Sequence, residues 1–390
     1  MKILVIAPTP FFADRGTHIR ILEESLALEK LGHSIIIATY HIGSEINSNV
    51  QTKIVVKRIR RLLFWYKKLE AGPDWQKIIL DLMLIRKAFH LARTERPDII
   101  HAHLHEGVAL GWIVQKCLFW RKIKLVADFH GSLTKEMVSH SYLNGGLLKS
   151  LFSFGEKWID NMGDAALTSS AENTQEIKCI RSDHRVETIL DGANLSYYEK
   201  LSSRNALKNE FELPANKVIV TYTGALVPNK GVQHLQEAIL AVLEKNQKIF
   251  FVIAGFPAED MNKFVDQNKL SDSVRIISPL SYFKLPAILA ASDIGVDPKD
   301  SSTLQASGKI LQYMAAGLPV VCFDRQNNRT YLGAGGEFAQ EFSAKGLAQA
   351  ILSLAGDEKK MSEKGAINRE RISDFSWEIS AKKIEEIYNK

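Results

Sequence analysis

A polar segment followed by a helical pattern places Ser307, Gly308 and Lys309 at a predicted helix start. An apolar run at 294–296 precedes this segment and a β-branched run at 319–323 follows the helix, which predicts a strand–loop–helix–strand unit. The amino end of a helix offers backbone N–H groups and a partial positive charge, and a lysine adds a mobile cation. The pattern therefore favours phosphate binding.

A second strand–loop–helix pattern with the same chemistry begins at Lys217. Its strand ends at Gly224, its loop carries Lys230, and a helix is predicted from about residue 232. A glycine-bearing loop that leads into a helix start again suits a phosphate. A solvated surface cation is the simpler interpretation of each lysine, but the paired loops favour two phosphate-binding segments that converge on one crevice.

The chain opens with a βαβ pattern: an apolar strand at 3–7, a loop that ends at Gly16, and a helix at about 17–31. The pattern contains no GxGxxG, which counts against a dinucleotide-binding oxidoreductase. Gly16 at the helix entrance would let a ligand phosphate approach the backbone, although a simple turn glycine is an equally good interpretation.

His130 follows the predicted strand at 124–128 and precedes Gly131. Active-site residues of open α/β sheets collect at the carboxyl ends of strands, so His130 is a candidate catalytic residue. A structural histidine is the alternative.

The alternating histidines His101, His103 and His105 would share one face of an extended chain, as zinc ligands can. We find no carboxylate or cysteine at ligand spacing to complete such a site. Histidines that line the crevice of the sheet are therefore the favoured interpretation, and no metal is expected.

Residues 57–68, KRIRRLLFWYKK, mix basic and aromatic side chains. Such a segment suits an anionic membrane surface, and similar mixtures bind single-stranded nucleic acid. An ordinary connection whose aromatic side chains pack inward is the alternative interpretation, and nucleic acid is not predicted as a partner.

The chain has 390 residues and a formal net charge of +6, which favours anionic partners such as nucleotides or lipids. No apolar run has the length of a membrane span, and the start, MKILVIAP, reads as a buried strand rather than a signal peptide. The three scattered cysteines, Cys117, Cys179 and Cys322, favour a reducing compartment. We expect a cytoplasmic protein, with peripheral contact to the inner face of the cell membrane.

The two α/β patterns predict two α/β domains, each built on a parallel sheet. Residues 1–200 and residues 215–372 are expected to form these domains, joined by a polar linker. Residues 373–390, led by Phe375 and Trp377, are predicted as a helix that returns to the first domain.

Several segments together resemble the family-four retaining glycosyltransferases, which have the GT-B fold. The resemblance covers nearly the whole chain and rests on LGHSIIIAT, PDIIHAH, the His-Gly at 130–131, TGALVPNKGV, GKILQYMAAGLPVV and FSWEISAKKIEEIY. It implies two doubly wound, Rossmann-like domains that face each other across a cleft, with the acceptor on the side of residues 1–200 and the nucleotide-sugar donor held mainly by residues 215–372. It also implies transfer of a sugar from a nucleotide-diphosphate sugar, with retention at the anomeric carbon and without a metal or other cofactor. The acceptor is expected to be a glycan or a lipid-linked glycan of the cell envelope.

The resemblance also implies roles for individual residues. His130 corresponds to a cleft histidine near the donor sugar, and Lys230 corresponds to a lysine that binds the diphosphate. The family position at Gln312 binds the nucleotide ribose. The donor diphosphate is expected to contact residues of both halves: Gly16, Gly224, Lys230, Ser307, Gly308 and Lys309.

The chain departs from the family pattern in two places. Ala225 stands where the family commonly has an arginine, so one diphosphate cation is missing. Leu304 and Gln312 stand where the family has two glutamates, and only the glutamine can still hydrogen-bond a ribose. A non-catalytic protein that binds sugar nucleotides and a nucleotide-sugar epimerase of the same fold therefore remain alternatives.

Overall fold

The computed structural model describes residues 1–47, 50–68, 74–139, 142–143, 146–299 and 307–390. The chain forms two compact units: unit 1 comprises Met1–Asp191 and Trp377–Lys390, and unit 2 comprises Gly192–Ser376. The sequence analysis placed the domains at 1–200 and 215–372, whereas the units change between residues 191 and 192 and between residues 376 and 377.

Unit 1 contains a parallel seven-stranded sheet in the order β3-β2-β1-β4-β5-β6-β7. Continuous apolar runs such as Ile3–Ala7 form its central strands, which are buried on both faces. The order reverses between β1 and β4, and the carboxyl ends of strands at such a reversal are where ligands bind. Its strands are β1 Lys2–Ala7, β2 Ser34–Thr39, β3 Val55–Arg58, β4 Ile99–His103, β5 Lys124–Phe129, β6 Ala165–Thr168 and β7 Val186–Thr188.

Helices connect these strands and cover the sheet of unit 1. In helix α2, apolar side chains at helical spacing (Leu80, Leu84, Ala88 and Leu91) enter the core. The helices before the second unit are α1 Gly16–Lys30, α2 Trp75–Glu95, α3 Leu104–Cys117, α4 Leu133–Ser139, α5 Gly146–Asp160 and α6 Ala171–Ile180, with a 3-10 turn at Phe119–Arg121.

Unit 2 contains a parallel six-stranded sheet in the order β10-β9-β8-β11-β12-β13, which reverses between β8 and β11. The strands are β8 Val218–Thr223, β9 Ile249–Ala254, β10 Val274–Ile277, β11 Ile294–Asp297, β12 Val320–Phe323 and β13 Gly336–Ala339. The α-helices are α7 Ser196–Glu199, α8 Arg204–Glu210, α9 Val232–Lys245, α10 Glu259–Gln267, α11 Leu285–Ala290, α12 Gly308–Ala315, α13 Gln326–Leu332, α14 Ala344–Ala355 and α15 Glu358–Arg371. Short 3-10 turns lie at Pro228–Lys230, Tyr282–Lys284, Gly333–Gly335 and Ile372–Phe375.

The last helix, α16 (Trp377–Asn389), belongs to unit 1. It packs against α1, where Lys30 forms a 2.9 Å ion pair with Glu378. At its carboxyl end, the Lys124 ammonium donates a hydrogen bond of 2.6 Å to the main-chain oxygen of Ile387. Unit 1 is therefore built from the two ends of the chain.

Candidate functional site

In unit 2, the loops after β8 and β11 bring Gly224 and Lys309 together, as the paired-loop pattern predicts. A Cβ on Gly224 would lie 3.3 Å from the Lys309 Cε, so a larger side chain would press on the lysine. The Lys309 Nζ lies 3.4 Å from a carboxylate oxygen of buried Asp297 and 4.0 Å from the centre of the Tyr222 ring. These contacts hold the ammonium at the carboxyl end of the sheet.

Lys230 is positioned by a glycine that follows it. Gly231 has a φ of 77°, in the left-handed region, and a Cβ there would lie 1.9 Å from the main-chain oxygen of Pro298. Only glycine fits this contact without a shift of the backbone. The loop after β8 therefore sits directly on the segment after β11 and fixes Lys230 at the same edge of the sheet.

Sequence analysis missed two further basic residues at this edge, Lys299 and Arg325, both of which are buried. Burial lowers the pKa of Lys299 to about 6, and the positive charge of Lys230 adds to the shift. The positive charges of Arg325 and Lys309 also lower the pKa of Lys299, which shows that these side chains lie near it. The signal was present in the sequence, since Lys299 and Arg325 each follow a strand by two residues.

Gln312 and Ser307 also lie in unit 2, on and before helix α12. The Tyr198 hydroxyl donates hydrogen bonds to the Gln312 side-chain oxygen (3.0 Å) and main-chain oxygen (3.2 Å). The buried Ser307 is the N-cap residue of α12, and Gly308 is the first helical residue. Leu304 lies outside the described residues. The proposed roles of these residues in ligand binding stay predictions.

In unit 1, a buried carboxylate, Asp128, lies at the centre of a charged network. Arg20 of α1 donates to both its oxygens, at 3.1 and 3.2 Å, and also pairs with Asp191 at 2.8 Å. Burial alone would raise the pKa of Asp128, but Arg20 and the nearby histidines hold it well below its ordinary value. The carboxylate is therefore charged and paired.

His130, the predicted catalytic residue, touches this network. Its Nε2 lies 3.1 Å from Nδ1 of His103 and 3.5 Å from an oxygen of Asp128. Burial lowers the pKa of His103 to about 3, so its ring is neutral near pH 7. The network fixes the orientation of the His130 ring, and its catalytic role stays a prediction.

The expectation that no carboxylate joins the histidines of 101–105 was wrong. Glu24 and Asp128 reach His101 and His103 from distant parts of the chain, and one ligand atom from each of the four lies within 4.8 Å of the others. The Nδ1 of His101 lies 2.5 Å from the Tyr388 hydroxyl of α16. Such a cluster has the spacing of a metal site, but Arg20 already supplies a cation to both oxygens of Asp128.

His105 does not share a face with the other two histidines, because the strand ends at His103 and α3 begins at Leu104. Its Nε2 instead lies 3.2 Å from Asp160 and 3.7 Å from Glu156, both on α5. Burial would lower the pKa of His105, but these carboxylates raise it above its ordinary value. The three histidines thus serve two separate clusters.

Gly16 is the first residue of α1, and no atom lies within 4 Å of a Cβ placed on it. Open space therefore adjoins this helix start, as a ligand-binding glycine requires. Whether a diphosphate binds there stays a prediction.

The basic and aromatic segment 57–68 has both buried and exposed apolar side chains, and its contact with a membrane stays a prediction. Leu63 and Tyr66 are buried in the core of unit 1, whereas Leu62, Phe64 and Trp65 are 63%, 65% and 54% exposed. Across the described part of the chain, no helix combines the length and apolar character that a membrane crossing requires.

Comparison with known families matches both halves of the chain. Residues 15–197 match the family Glycosyltransferase Family 4, and residues 217–357 match the family Glycosyl transferases group 1. The chain belongs to these glycosyltransferases, which confirms the resemblance found in the sequence.

A curated relative and two solved structures agree with this assignment. The D-inositol 3-phosphate glycosyltransferase of Corynebacterium glutamicum is 23% identical over 75% of this chain and 72% of the relative. Sucrose-phosphate synthase from Thermosynechococcus elongatus superposes with a TM-score of 0.79 at 17% identity, covering 100% of this chain and 98% of the other. Anabaena HepE in complex with UDP and glucose superposes with a TM-score of 0.77 at 16% identity, covering 100% of both chains. These similarities confirm the predicted α/β fold with two Rossmann-like domains.

Proposed function

We propose that the protein transfers a sugar from a nucleotide-diphosphate sugar to a glycan or lipid-linked acceptor, with retention at the anomeric carbon and without a metal. The observation that carries this proposal is the group of cations at the carboxyl edge of the unit 2 sheet. The similar HepE structure contains UDP and glucose, which supports a nucleotide sugar as the donor.

The chemistry requires positive charge at this edge. Departure of the nucleoside diphosphate concentrates negative charge on its phosphate oxygens, which cations and helix N–H groups stabilise. Lys309 and Lys230 are held in place before the ligand arrives, so little reorganisation accompanies the reaction. Arg325 supplies charge that compensates for Ala225, where the family commonly has arginine.

In unit 1, we assign His130 to the reacting sugar. Its ring lies against His103 and Asp128, so its orientation does not depend on the substrate. A fixed polar group near the anomeric centre positions the donor and helps to exclude alternative geometries. The acceptor would approach the same region of unit 1.

A donor panel tests the proposal. Purified protein is incubated with UDP-, GDP-, ADP- and dTDP-sugars and with lipid extract, and release of the nucleoside diphosphate is measured. We expect release with one donor class, unchanged by chelator, and an anomeric configuration in the product that matches the donor. Lys309→Ala should weaken donor binding by about tenfold or more, because a cation that contacts phosphate is lost.

Lys248→Ala is the matched control, since this exposed lysine precedes β9 and therefore lies at the opposite edge of the sheet. Equal donor affinity of Lys309→Ala and wild type would remove the phosphate role of Lys309. Donor binding without turnover, with lipid extract present, would favour the non-catalytic alternative. Interconversion of the donor sugar without an acceptor would favour an epimerase, and loss of turnover with chelator would contradict metal independence.

A further inference from the structure

Helix α5 of unit 1 buries its acidic face and exposes its apolar face, which is the reverse of an ordinary surface helix. Its fully buried side chains are two acids, Glu156 and Asp160, rather than apolar residues. Both lie against His105, and Glu156 also accepts a 3.0 Å hydrogen bond from the backbone N–H of Thr134. The helix is therefore attached to the unit through these charges and hydrogen bonds and through Ile159, which packs against the core, while its apolar stripe faces outward.

The outward stripe is large and continuous. Leu147, Leu151, Phe154 and Trp158 follow one another at spacings of four, three and four residues, so they share one side of the helix. Their exposed fractions are 92%, 66%, 72% and 59%. Exposed apolar surface of this extent on a soluble helix marks a binding surface.

The polar residues that flank this stripe carry only positive charge. Lys149 and Lys157 are exposed, whereas the two acids of α5 are turned inward. Near the carboxyl end, the Trp158 ring packs 5.9 Å from the Trp112 ring, which in turn lies 5.8 Å from the Lys116 ammonium. Leucine and aromatic side chains bordered by lysines are typical of helices that lie in the interface of an anionic membrane.

We propose that α5 docks unit 1 on an anionic lipid bilayer, with Leu147, Leu151, Phe154 and Trp158 inserted below the headgroups. The helix has 15 residues, or about 22 Å, so it lies in the plane of the surface and does not cross the bilayer. The lysines pair with lipid phosphates while the tryptophan sits at headgroup depth.

A symmetric contact with a second copy of this chain fits the surface less well. Such a contact brings the same patch of two copies together, so the lysines of one α5 would approach those of the other. An anionic surface instead neutralises them. The inference does not depend on sugar transfer, because vesicle binding is measured without donor or acceptor.

Vesicle flotation tests the proposal with the full-length protein. Binding is compared for vesicles of pure phosphatidylcholine and for vesicles that also contain phosphatidylglycerol. We expect binding to the anionic vesicles and a blue shift of tryptophan fluorescence that is reduced in Trp158→Phe. Leu151→Gln and Phe154→Gln should each lower vesicle affinity by about tenfold, since each removes an inserted apolar side chain.

Leu240→Gln is the matched control, because Leu240 is also an exposed helical leucine but lies on α9 of unit 2. Lys149→Glu combined with Lys157→Glu should abolish the preference for anionic vesicles. Circular dichroism and donor binding check that the variants are folded.

Vesicle binding that is equal in wild type, Leu151→Gln and Phe154→Gln would overturn the assignment to α5. If the α5 variants bound as wild type does but reversal of the charges in segment 57–68 abolished vesicle binding, segment 57–68 would be the membrane contact. A dimer in sedimentation velocity that Leu151→Gln dissociates, without vesicle binding by wild type, would identify a second copy as the occupant and also overturn the proposal.

Discussion

The two units place charge in their interiors in opposite ways. In unit 1, the Arg20 cation and the Asp128 carboxylate form a two-point ion pair, and His103 and His130 lie against the same acid. In unit 2, Asp297 lies 3.4 Å from the Lys309 ammonium, and Lys230 and Arg325 bring further positive charge close to the buried Lys299 side chain. Unit 1 therefore neutralises its buried charge internally, whereas unit 2 keeps an excess of positive charge at its sheet edge.

This difference suggests different roles for the two charged regions: the one in unit 1 positions side chains, and the one in unit 2 binds a ligand. A buried ion pair costs desolvation energy and mainly fixes geometry, which suits a unit that must hold His130 in one orientation. Excess buried positive charge lowers stability until an anion binds, which suits a unit that must attract a diphosphate. Substitutions in the unit 1 network should therefore act on stability, and substitutions at the unit 2 edge should act on ligand binding.

Arg20→Met should give the largest effect on stability. It leaves the Asp128 charge buried without its main partner, so we expect the free energy of unfolding of unit 1 to fall by about 3–5 kcal/mol. Tryptophan fluorescence during denaturation reports this selectively, because all six tryptophans lie in unit 1. The double variant Arg20→Met/Asp128→Asn should recover part of the lost stability. Equal stability of wild type and Arg20→Met would show that Arg20 and Asp128 do not form a stabilising ion pair.

Gly231→Ala should lower the stability of unit 2 by about 1–3 kcal/mol, because alanine is strained at a φ of 77° and clashes with Pro298. The same change should weaken donor binding by displacing Lys230. Gly16→Ala is the control: its Cβ enters open space, so stability should not fall. Donor affinity lost in Gly16→Ala with stability kept would support diphosphate contact at that position.

Lys299→Met should remove a pH dependence of unit 2. In the folded state the pKa of Lys299 is about 6, below its ordinary value of 10.5, so between these values the unfolded chain binds one proton more. Stability of unit 2 should therefore rise with pH in this window, by about 1.4 kcal/mol for each pH unit. Hydrogen exchange of unit 2 amides at pH 7 and 8, corrected for intrinsic rates, measures this slope, and a slope that persists in Lys299→Met would contradict its origin.

Tyr388→Phe should give the smallest effect. It removes the 2.5 Å contact between the tyrosine hydroxyl and His101, so unit 1 should lose about 1 kcal/mol. Donor binding should be unchanged, since His101, which Tyr388 contacts, is not among the residues assigned to the donor. The shift in the tryptophan-monitored unfolding midpoint is the measurement, and Tyr142→Phe, at an exposed tyrosine, is its control.

Local patterns predicted much of the fold and of the unit 2 edge. Helix α9 begins at Val232, as the sequence indicated, because apolar residues recur at helical spacing after Gly231. Gly224 and Lys309 were predicted together because adjacent parallel strands bring their following loops to one edge. These features depend on short stretches of chain whose periodicity and turn residues are visible in the sequence.

The unit 1 network could not be predicted in the same way. Arg20 and Asp128 are separated by 108 positions, so no spacing rule connects them. The error at His105 arose because a strand pattern does not show where the strand ends. Periodicity in α5 likewise locates an apolar stripe but does not show that the stripe faces outward. The direction is decided by the contacts of Glu156 and Asp160 with His105, which lies on a different helix, α3.

The division of unit 1 between the two ends of the chain has a consequence for synthesis. Helix α16, which carries Tyr388 to buried His101, leaves the ribosome after every residue of unit 2. During translation the first 191 residues therefore lack one of their packing surfaces, the one on α1, while unit 2 already has its whole sequence. Unit 1 is thus completed only after unit 2, and a chain that stops before residue 377 would leave His101 without its Tyr388 contact.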